Sequence, residues 1–104
     1  MADPRRGEVW IVDLGMAAKV RPCLVVSIPA LEQDRALVTV VPHTTSLRGS
    51  RFEVILPIGF LRPGGFDVQN LITIPHAKLV RKLGIVSTNL LPVIETSLRK
   101  WLGL

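Results

Sequence analysis

Two short segments of the sequence carry side chains that suit the binding of a phosphate group. Arg21 precedes Pro22 and an apolar run, so it is held in extended backbone at the start of a predicted strand. Its guanidinium stays protonated and presents a planar fork of donors that matches phosphate oxygens. The second segment, Pro42-His43-Thr44-Thr45-Ser46, places three hydroxyls directly after another apolar strand. Hydroxyls held there by a rigid scaffold can donate to the same oxygens.

Each segment also has a purely structural interpretation. An arginine can simply begin a strand, and the hydroxyls of Thr44, Thr45 and Ser46 can satisfy backbone groups in a polar turn. Neither segment alone therefore predicts a phosphate site. The two segments predict such a site only if the fold brings them to one place.

Other kinds of chemistry find less support in the sequence. His43 and His76 have side chains suited to acid–base catalysis near neutral pH, but nothing in the sequence brings them together. Cys23 lies in an apolar run and is expected to be buried rather than nucleophilic. One cysteine, two distant histidines and no clustered carboxylates argue against a metal site, and phosphate-loop glycine motifs are absent. We therefore expect no metal and no cofactor.

The charge pattern favours a polyanionic partner. Thirteen Lys and Arg against eight Asp and Glu give a net charge of +5. Residues 14–31, 35–52 and 68–94 contain no acid, and a fold that joins these windows would present a positively charged face. On charge alone, a basic surface without a partner is an equally good interpretation. The basic residues inside the windows include Lys19, Arg21, Arg48, Arg51, Lys78, Arg81 and Lys82.

The pattern of apolar runs predicts a sheet followed by a helix. Five runs rich in Val, Ile or Leu have the length of strands, and four of them are followed by a proline, which cannot extend a ladder. Without helices between them, five or six short strands predict an antiparallel sheet curled into a small barrel. The predicted strands cover residues 9–12, 23–28, 36–41, 51–56 and 67–74.

The C-terminal segment has helical spacing instead. Its apolar residues recur every three or four positions, which predicts a helix from about Leu90 to Trp101 that packs on the barrel. With Asn89 as the N-cap, Pro92 falls in the first turn, where its missing N–H costs nothing. A shorter helical turn is predicted at residues 77–82. The fold class is therefore α+β.

Length and composition bound the organisation of the chain. Its 104 residues suit one domain, residues 1–104, since domains typically have about 100–200 residues. A domain this small buries only part of its apolar surface, so we expect a homodimer. No apolar run is long enough for a membrane helix, and Glu8 and Asp13 interrupt any secretory signal. A single cysteine also fits a cytoplasmic protein.

With these residues in place, the sequence resembles the MazF/PemK toxins of bacterial toxin–antitoxin pairs. The resemblance covers nearly the whole chain, and its fragments follow one another at the spacing of the family. They are Arg6-Gly7-Glu8-Val9-Trp10-Ile11-Val12-Asp13-Leu14, Arg21-Pro22-Cys23-Leu24-Val25-Val26-Ser27, Val40-Val41-Pro42-His43-Thr44-Thr45, Phe52-Glu53-Val54 and the tail from Gln69 to Leu104.

The resemblance implies an SH3-like barrel, a homodimer and an antitoxin with a disordered, acidic C-terminal segment. It also implies metal-independent, sequence-specific cleavage of single-stranded RNA that leaves a 2′,3′-cyclic phosphate and a 5′-hydroxyl. Arg21 and Thr44 match the family's catalytic arginine and threonine, with Thr45 as the substitute if the alignment shifts by one residue. The residues predicted to contact RNA are Lys19, Thr45, Ser46, Arg48, Arg51 and Gln69.

One segment departs from the pattern of the family. The loop of residues 14–20 is shorter than in many relatives and lacks their acidic and Gly/Ser-rich character, although that loop often borders the RNA groove.

Barrels of this type also occur in toxins that poison DNA gyrase. A basic barrel that binds RNA without cutting it is the third possibility, because a fold alone does not decide between them.

Overall fold

The computed structural model describes residues 3–15 and 19–104, which form seven strands and one α-helix. Two 3-10 turns, Val68–Asn70 and His76–Lys78, lie between strands. The helix α1 covers Leu91–Leu102. The strands are β1 (Glu8–Asp13), β2 (Val20–Val25), β3 (Leu37–Thr44), β4 (Glu53–Val54), β5 (Gly65–Asp67), β6 (Ile72–Pro75) and β7 (Leu79–Ile85).

All strand pairs are antiparallel, and the α+β class is confirmed. The hydrogen-bonded order is β4-β5-β3-β2-β1-β7, with β6 paired to β3 beside β5. Within the described ranges no ladder joins β4 to β7, so the sheet is not closed into the hydrogen-bonded barrel that was predicted. The long strand β3 pairs with β2 on one side. On its other side, its N-terminal half pairs with β6 and its C-terminal end pairs with β5.

The second half of the central strand β2 is buried on both faces of the sheet. Leu24 packs into a cluster under α1 that includes Ile94 and Phe66, while Cys23 and Val25 belong to a second cluster on the opposite face. Side chains alternate between the faces along a strand, which explains why consecutive residues of an apolar run enter different clusters. The two clusters together hold β2 and β3 rigidly in the middle of the molecule.

The helix begins and ends one residue later than predicted, and Asn89 is not its N-cap. Leu90 holds the cap position without a side-chain hydrogen bond, and Pro92 lies in the first turn as expected. The backbone N–H groups of Leu90 and Leu91 instead bond the Ser87 carbonyl at 2.9 and 3.1 Å. At the other end Gly103 adopts a left-handed conformation, φ 73°, and its N–H bonds the Arg99 carbonyl.

Several secondary-structure predictions were wrong in extent or type. Pro42 does not end β3, because the φ that a proline ring imposes, about −65°, is tolerated in extended backbone and the residue lacks only the N–H donor. The predicted strand at 67–74 is divided into β5 and β6 by a 3-10 turn. The helical turn predicted at 77–82 is mostly strand β7, which pairs with the outer side of β1. Among the described residues, no helix has the length and apolar character needed to cross a membrane.

Candidate functional site

An open cleft of about 640 Å³ lies beside the end of β3, on the face of the sheet opposite α1. Its wall contains side chains from five strands and the turns between them, so the sheet fixes most of its shape. The lining residues are Leu14, Arg21, Pro42, Thr44, Ser46, Arg48, Ser50, Glu53, Asp67, Gln69, Asn70 and Ile72.

Arg21 and Thr44 both line this cleft. In the ladder between β2 and β3, Cys23 lies opposite Pro42. The same register, carried two residues further along both strands, places Arg21 opposite Thr44 and on the same face of the sheet. The two segments that the sequence singled out therefore meet in one place, as a phosphate site requires.

Thr44 is oriented by its own turn. The backbone N–H of Ser46 donates to Oγ1 of Thr44 at 3.0 Å. With its oxygen accepting this bond, the hydroxyl hydrogen of Thr44 can be donated to a ligand. Thr45 is exposed and does not line the cleft, so the geometry favours Thr44 over its neighbour.

The loop between β3 and β4 is held by one carboxylate. Glu53 accepts backbone N–H bonds from Arg48, Gly49 and Ser50, at distances between 2.8 and 3.0 Å. These bonds lower the pKa of the Glu53 carboxyl, and the bond from the Arg48 N–H has the largest effect. Gly49 provides the positive φ of 81° that the turn needs. The result is a fixed loop that carries Arg48 and Ser50 in the cleft wall.

The structure brings some of the predicted RNA-contacting residues into the cleft and leaves others outside. Ser46, Arg48 and Gln69 line it, and Gln69 accepts a 3.4 Å hydrogen bond from Ser50. Lys19 and Arg51 are exposed and lie outside the lining. The guanidinium of Arg51 lies 4.6 Å from the centre of the Phe52 ring instead.

The loop of residues 14–20 borders the cleft through Leu14. It is closed by two backbone bonds, from Leu14 N to Lys19 O at 2.7 Å and from Lys19 N to Gly15 O at 3.0 Å. Lys19 has a positive φ of 52°, which is uncommon for a side chain with a Cβ. Residues 16–18 of this loop lie outside the described ranges.

The prediction of a one-signed positive face was wrong at the cleft itself. Glu53 and Asp67 line it together with Arg21 and Arg48, so the charges nearest the cleft balance. Both acids border the acid-free windows, and they lie opposite each other in the β4–β5 ladder. Sequence reasoning missed them, although Glu53 belonged to the Phe52-Glu53-Val54 fragment of the family resemblance.

The histidines and the cysteine lie outside the cleft lining. His43 is buried, contacts the Phe66 ring edge-to-face at 5.1 Å between centroids, and has its pKa lowered by that burial. His76 contacts the Leu37 carbonyl through Nε2 at 3.3 Å. Burial raises the pKa of the Cys23 thiol to about 12, which keeps it protonated and unreactive. A histidine acid–base pair therefore has no geometric support.

Among the described residues, carboxylates, histidines and the cysteine do not form a cluster that suits a metal ion. In the part of the chain that the structure describes, no three of these side chains come together as candidate ligands. The polar groups of the cleft are instead guanidinium, hydroxyl, amide and carboxylate groups, of which the first three can donate hydrogen bonds to an anion.

Comparison with known proteins identifies the family to which the chain belongs. Residues 5–102 match the model of the PemK-like, MazF-like toxins of type II toxin-antitoxin systems. An endoribonuclease in complex with its cognate antitoxin, from a mycobacterial species, is 32% identical with a TM-score of 0.83, covering 97% of this chain and 96% of that one.

Two further structures share the fold. A second mycobacterial endoribonuclease is 31% identical with a TM-score of 0.82, and the match covers 100% of this chain and 95% of the other. MazF from Deinococcus radiodurans is 24% identical with a TM-score of 0.82 over 100% of both chains. At that identity the last comparison concerns the fold alone.

Proposed function

Because the chain belongs to the PemK-like, MazF-like toxins of type II toxin-antitoxin systems, we propose that it is an endoribonuclease that cuts single-stranded RNA at specific short sequences. The observation that carries the proposal is the presence of Arg21 and Thr44 in the lining of one cleft. The mycobacterial relatives, which are named as endoribonucleases, support the same class of reaction.

The reaction is an internal transesterification. The 2′-oxygen of a ribose attacks the adjacent phosphorus, the bond from phosphorus to the 5′-oxygen breaks, and the products are a 2′,3′-cyclic phosphate and a 5′-hydroxyl. The 2′-hydroxyl loses a proton and the leaving 5′-oxygen gains one. Negative charge builds up on the phosphate oxygens during the attack, so donors already aimed at those oxygens lower the barrier.

Arg21 and Thr44 would supply these donors. The guanidinium carries a full positive charge and a fork that fits two phosphate oxygens, and the Thr44 hydroxyl adds a third hydrogen bond. Arginine is a poor general base because its pKa lies above about 12. The acceleration therefore depends mainly on holding the 2′-oxygen in line with the leaving group and on neutralising charge, and no metal ion is needed.

The test is cleavage of a long RNA by the purified protein in EDTA, with analysis of the fragment ends. We expect cyclic-phosphate and 5′-hydroxyl ends, and a rate about 10²–10³ lower in Arg21→Ala, since removal of one preorganised donor typically has that effect. Thr44→Ala should lose activity as well. Arg35→Ala and Thr88→Ala, which remove the same side-chain types outside the cleft lining, are the matched controls.

Other outcomes of this assay point to different functions. Intact RNA together with trapped gyrase–DNA complexes would indicate a gyrase poison. Intact RNA that is merely retained would indicate an RNA-binding protein without catalysis. Cleavage that stops in EDTA and returns with a divalent ion would contradict the metal-independent mechanism.

The proposal includes two partners and a place of action. A relative is described in complex with its cognate antitoxin, and we extend this to an antitoxin whose disordered, acidic C-terminal segment binds the basic surface of this chain. Such a complex should weaken as salt rises. A second copy of the chain is the other partner, because a domain this small buries only part of its apolar surface, and light scattering would detect the dimer. Cleavage of cellular RNA would take place in the cytoplasm.

A further inference from the structure

Asp67 and Asn70 form a polar pair in the cleft wall for which the cleavage reaction has no role. Asp67 ends β5, and Asn70 ends the 3-10 turn that follows it. The side-chain Nδ2 of Asn70 donates to Oδ2 of Asp67, and both side chains line the cleft. Although Asp67 holds the N-cap position of the turn, its carboxylate makes no capping bond there. The carboxylate is bound to the Asn70 amide instead.

This pair lies next to the proposed phosphate site. In the ladder between β3 and β5, Gly65 lies opposite Thr44, and Asp67 follows two residues later on the same face of the sheet. Asp67 is thus the diagonal neighbour of Thr44, within reach of a long or planar group that contacts both. A nucleotide whose phosphate is held at Thr44 would bring its base or the adjoining base to Asp67.

A carboxylate at this position repels RNA unless it accepts hydrogen bonds from it. The repulsion is increased by Glu53, which lies directly across the β4–β5 ladder. Glu53 already accepts three backbone N–H groups, whereas Asp67 accepts one amide hydrogen. Asp67 therefore keeps most of its acceptor capacity, and the donors that RNA can offer it are base N–H groups and 2′-hydroxyls.

We propose that Asp67 and Asn70 bind the Watson–Crick edge of a guanine beside the cleaved phosphate; this rests on the proposed nuclease activity. The second hydrogen of Asn70 Nδ2, then Oδ2 and Oδ1 of Asp67, form a row of one donor and two acceptors. Guanine presents the complementary row, which consists of the O6 acceptor and the N1–H and N2–H donors. The Asn70–Asp67 hydrogen bond sets the order of this row, because an amide oxygen turned toward the carboxylate would be repelled.

The other bases match this row less well. Uracil presents an acceptor, a donor and an acceptor, so one of its oxygens would face a carboxylate oxygen. Adenine and cytosine place a ring nitrogen acceptor where guanine has N1–H. Recognition that leaves such groups unpaired is strongly disfavoured, and one good pair of hydrogen bonds separates the right base from a wrong one by about 10- to 100-fold.

The experiment measures kcat/KM on a set of short RNAs that differ at one position around the cut. We expect guanine to be preferred at one such position by about 10-fold or more. Inosine, which lacks only the N2 amino group, should lose part of that preference. In Asp67→Asn most of the preference should disappear, because kcat/KM should fall much more on RNAs with guanine at this position than on RNAs without it.

Two further variants make the test specific. Asp34→Asn removes an exposed carboxylate outside the cleft lining, where it accepts the Leu31 N–H, and should leave the preference unchanged. Asn70→Ala should reduce the preference by removing the contact with O6, and it tests the pair separately if Asp67→Asn does not fold. An equal loss of rate on all RNAs in Asp67→Asn would indicate contact with a ribose hydroxyl and would overturn the inference.

The failure of this inference can be told apart from that of the proposed function. RNA cleavage by the unaltered protein without any guanine preference contradicts the guanine site alone. Absence of RNA cleavage contradicts the nuclease proposal and the guanine site with it.

Discussion

Gly64 packs so closely against Thr44 that a Cβ atom at position 64 would lie 2.1 Å from the Thr44 carbonyl oxygen and 2.9 Å from Cε1 of His43. The backbone before β5 thus lies directly on the end of β3 that carries the proposed hydroxyl donor. A side chain at this position has to displace backbone, which cannot move as a flexible side chain would.

Gly64→Ala should therefore impair both stability and activity. We expect a loss of about 1–3 kcal/mol in the free energy of unfolding, as is typical of overpacking, and a lower kcat because Thr44 shifts. Gly59→Ala is the matched control, since a Cβ there meets no atom within 4 Å. Urea unfolding and RNA cleavage measure the two effects. Equal behaviour of the two variants would show that the approach of Gly64 to Thr44 does not matter.

Glu53 should act on RNA binding by fixing the loop of Arg48 and Ser50. Its carboxylate holds three backbone N–H groups, so Glu53→Ala should free the loop and raise KM more than it lowers kcat. Glu53→Gln, which keeps one acceptor oxygen, should recover part of the affinity. A fall in kcat with unchanged KM would contradict a positioning role and indicate a direct part in the reaction.

The lowered pKa of Glu53 gives this role a pH dependence. A carboxyl whose pKa is lower in the folded protein stabilises it above the unfolded pKa of about 4.3, and this contribution is lost as the pH falls through the folded value. The difference in melting temperature between the unaltered protein and Glu53→Gln should therefore be largest near neutral pH and should shrink below about pH 4. A difference that is constant with pH would refute the ionised interaction.

Buried His43 should make the protein less stable in mild acid. Burial lowers its pKa, so the neutral ring favours folding above the unfolded pKa of about 6.5, and stability falls as the pH drops from there toward the folded value. His43→Leu should lose this part of the pH dependence, measured by urea unfolding between about pH 7.5 and pH 5.5. His76→Asn should retain it. A slope that disappears in His76→Asn and not in His43→Leu would reverse the assignment.

The sequence predicted the parts of the site that depend on local residue patterns. Arg21 before Pro22 and the hydroxyls after β3 could be singled out because proline restricts the backbone and because hydroxyls in a row do not fit a core. The two segments meet because of the register between β2 and β3, and no local sequence pattern contains that register. The expectation that they meet came from the family resemblance, and the pairing of Cys23 with Pro42 explains the meeting structurally.

The missed features depend on contacts distant in sequence. A helical turn was predicted over the first half of β7, but this segment is a strand because it pairs with β1, which is distant in sequence. Glu53 and Asp67 lie together in the cleft wall because β4 pairs with β5. A charge count along the sequence could not foresee this, since it identifies stretches without acids and not the acids that fold against them.

The central claim is that Arg21 and Thr44 hold the same phosphate, and a double-mutant cycle on kcat/KM tests it most directly. The variants are Arg21→Ala, Thr44→Ala and the double variant, measured on one RNA. We expect the double variant to be little slower than Arg21→Ala alone, with a coupling of about 1 kcal/mol or more, because residues that act on one group are not additive. Fully additive losses would show that the two side chains act independently and would contradict the shared site.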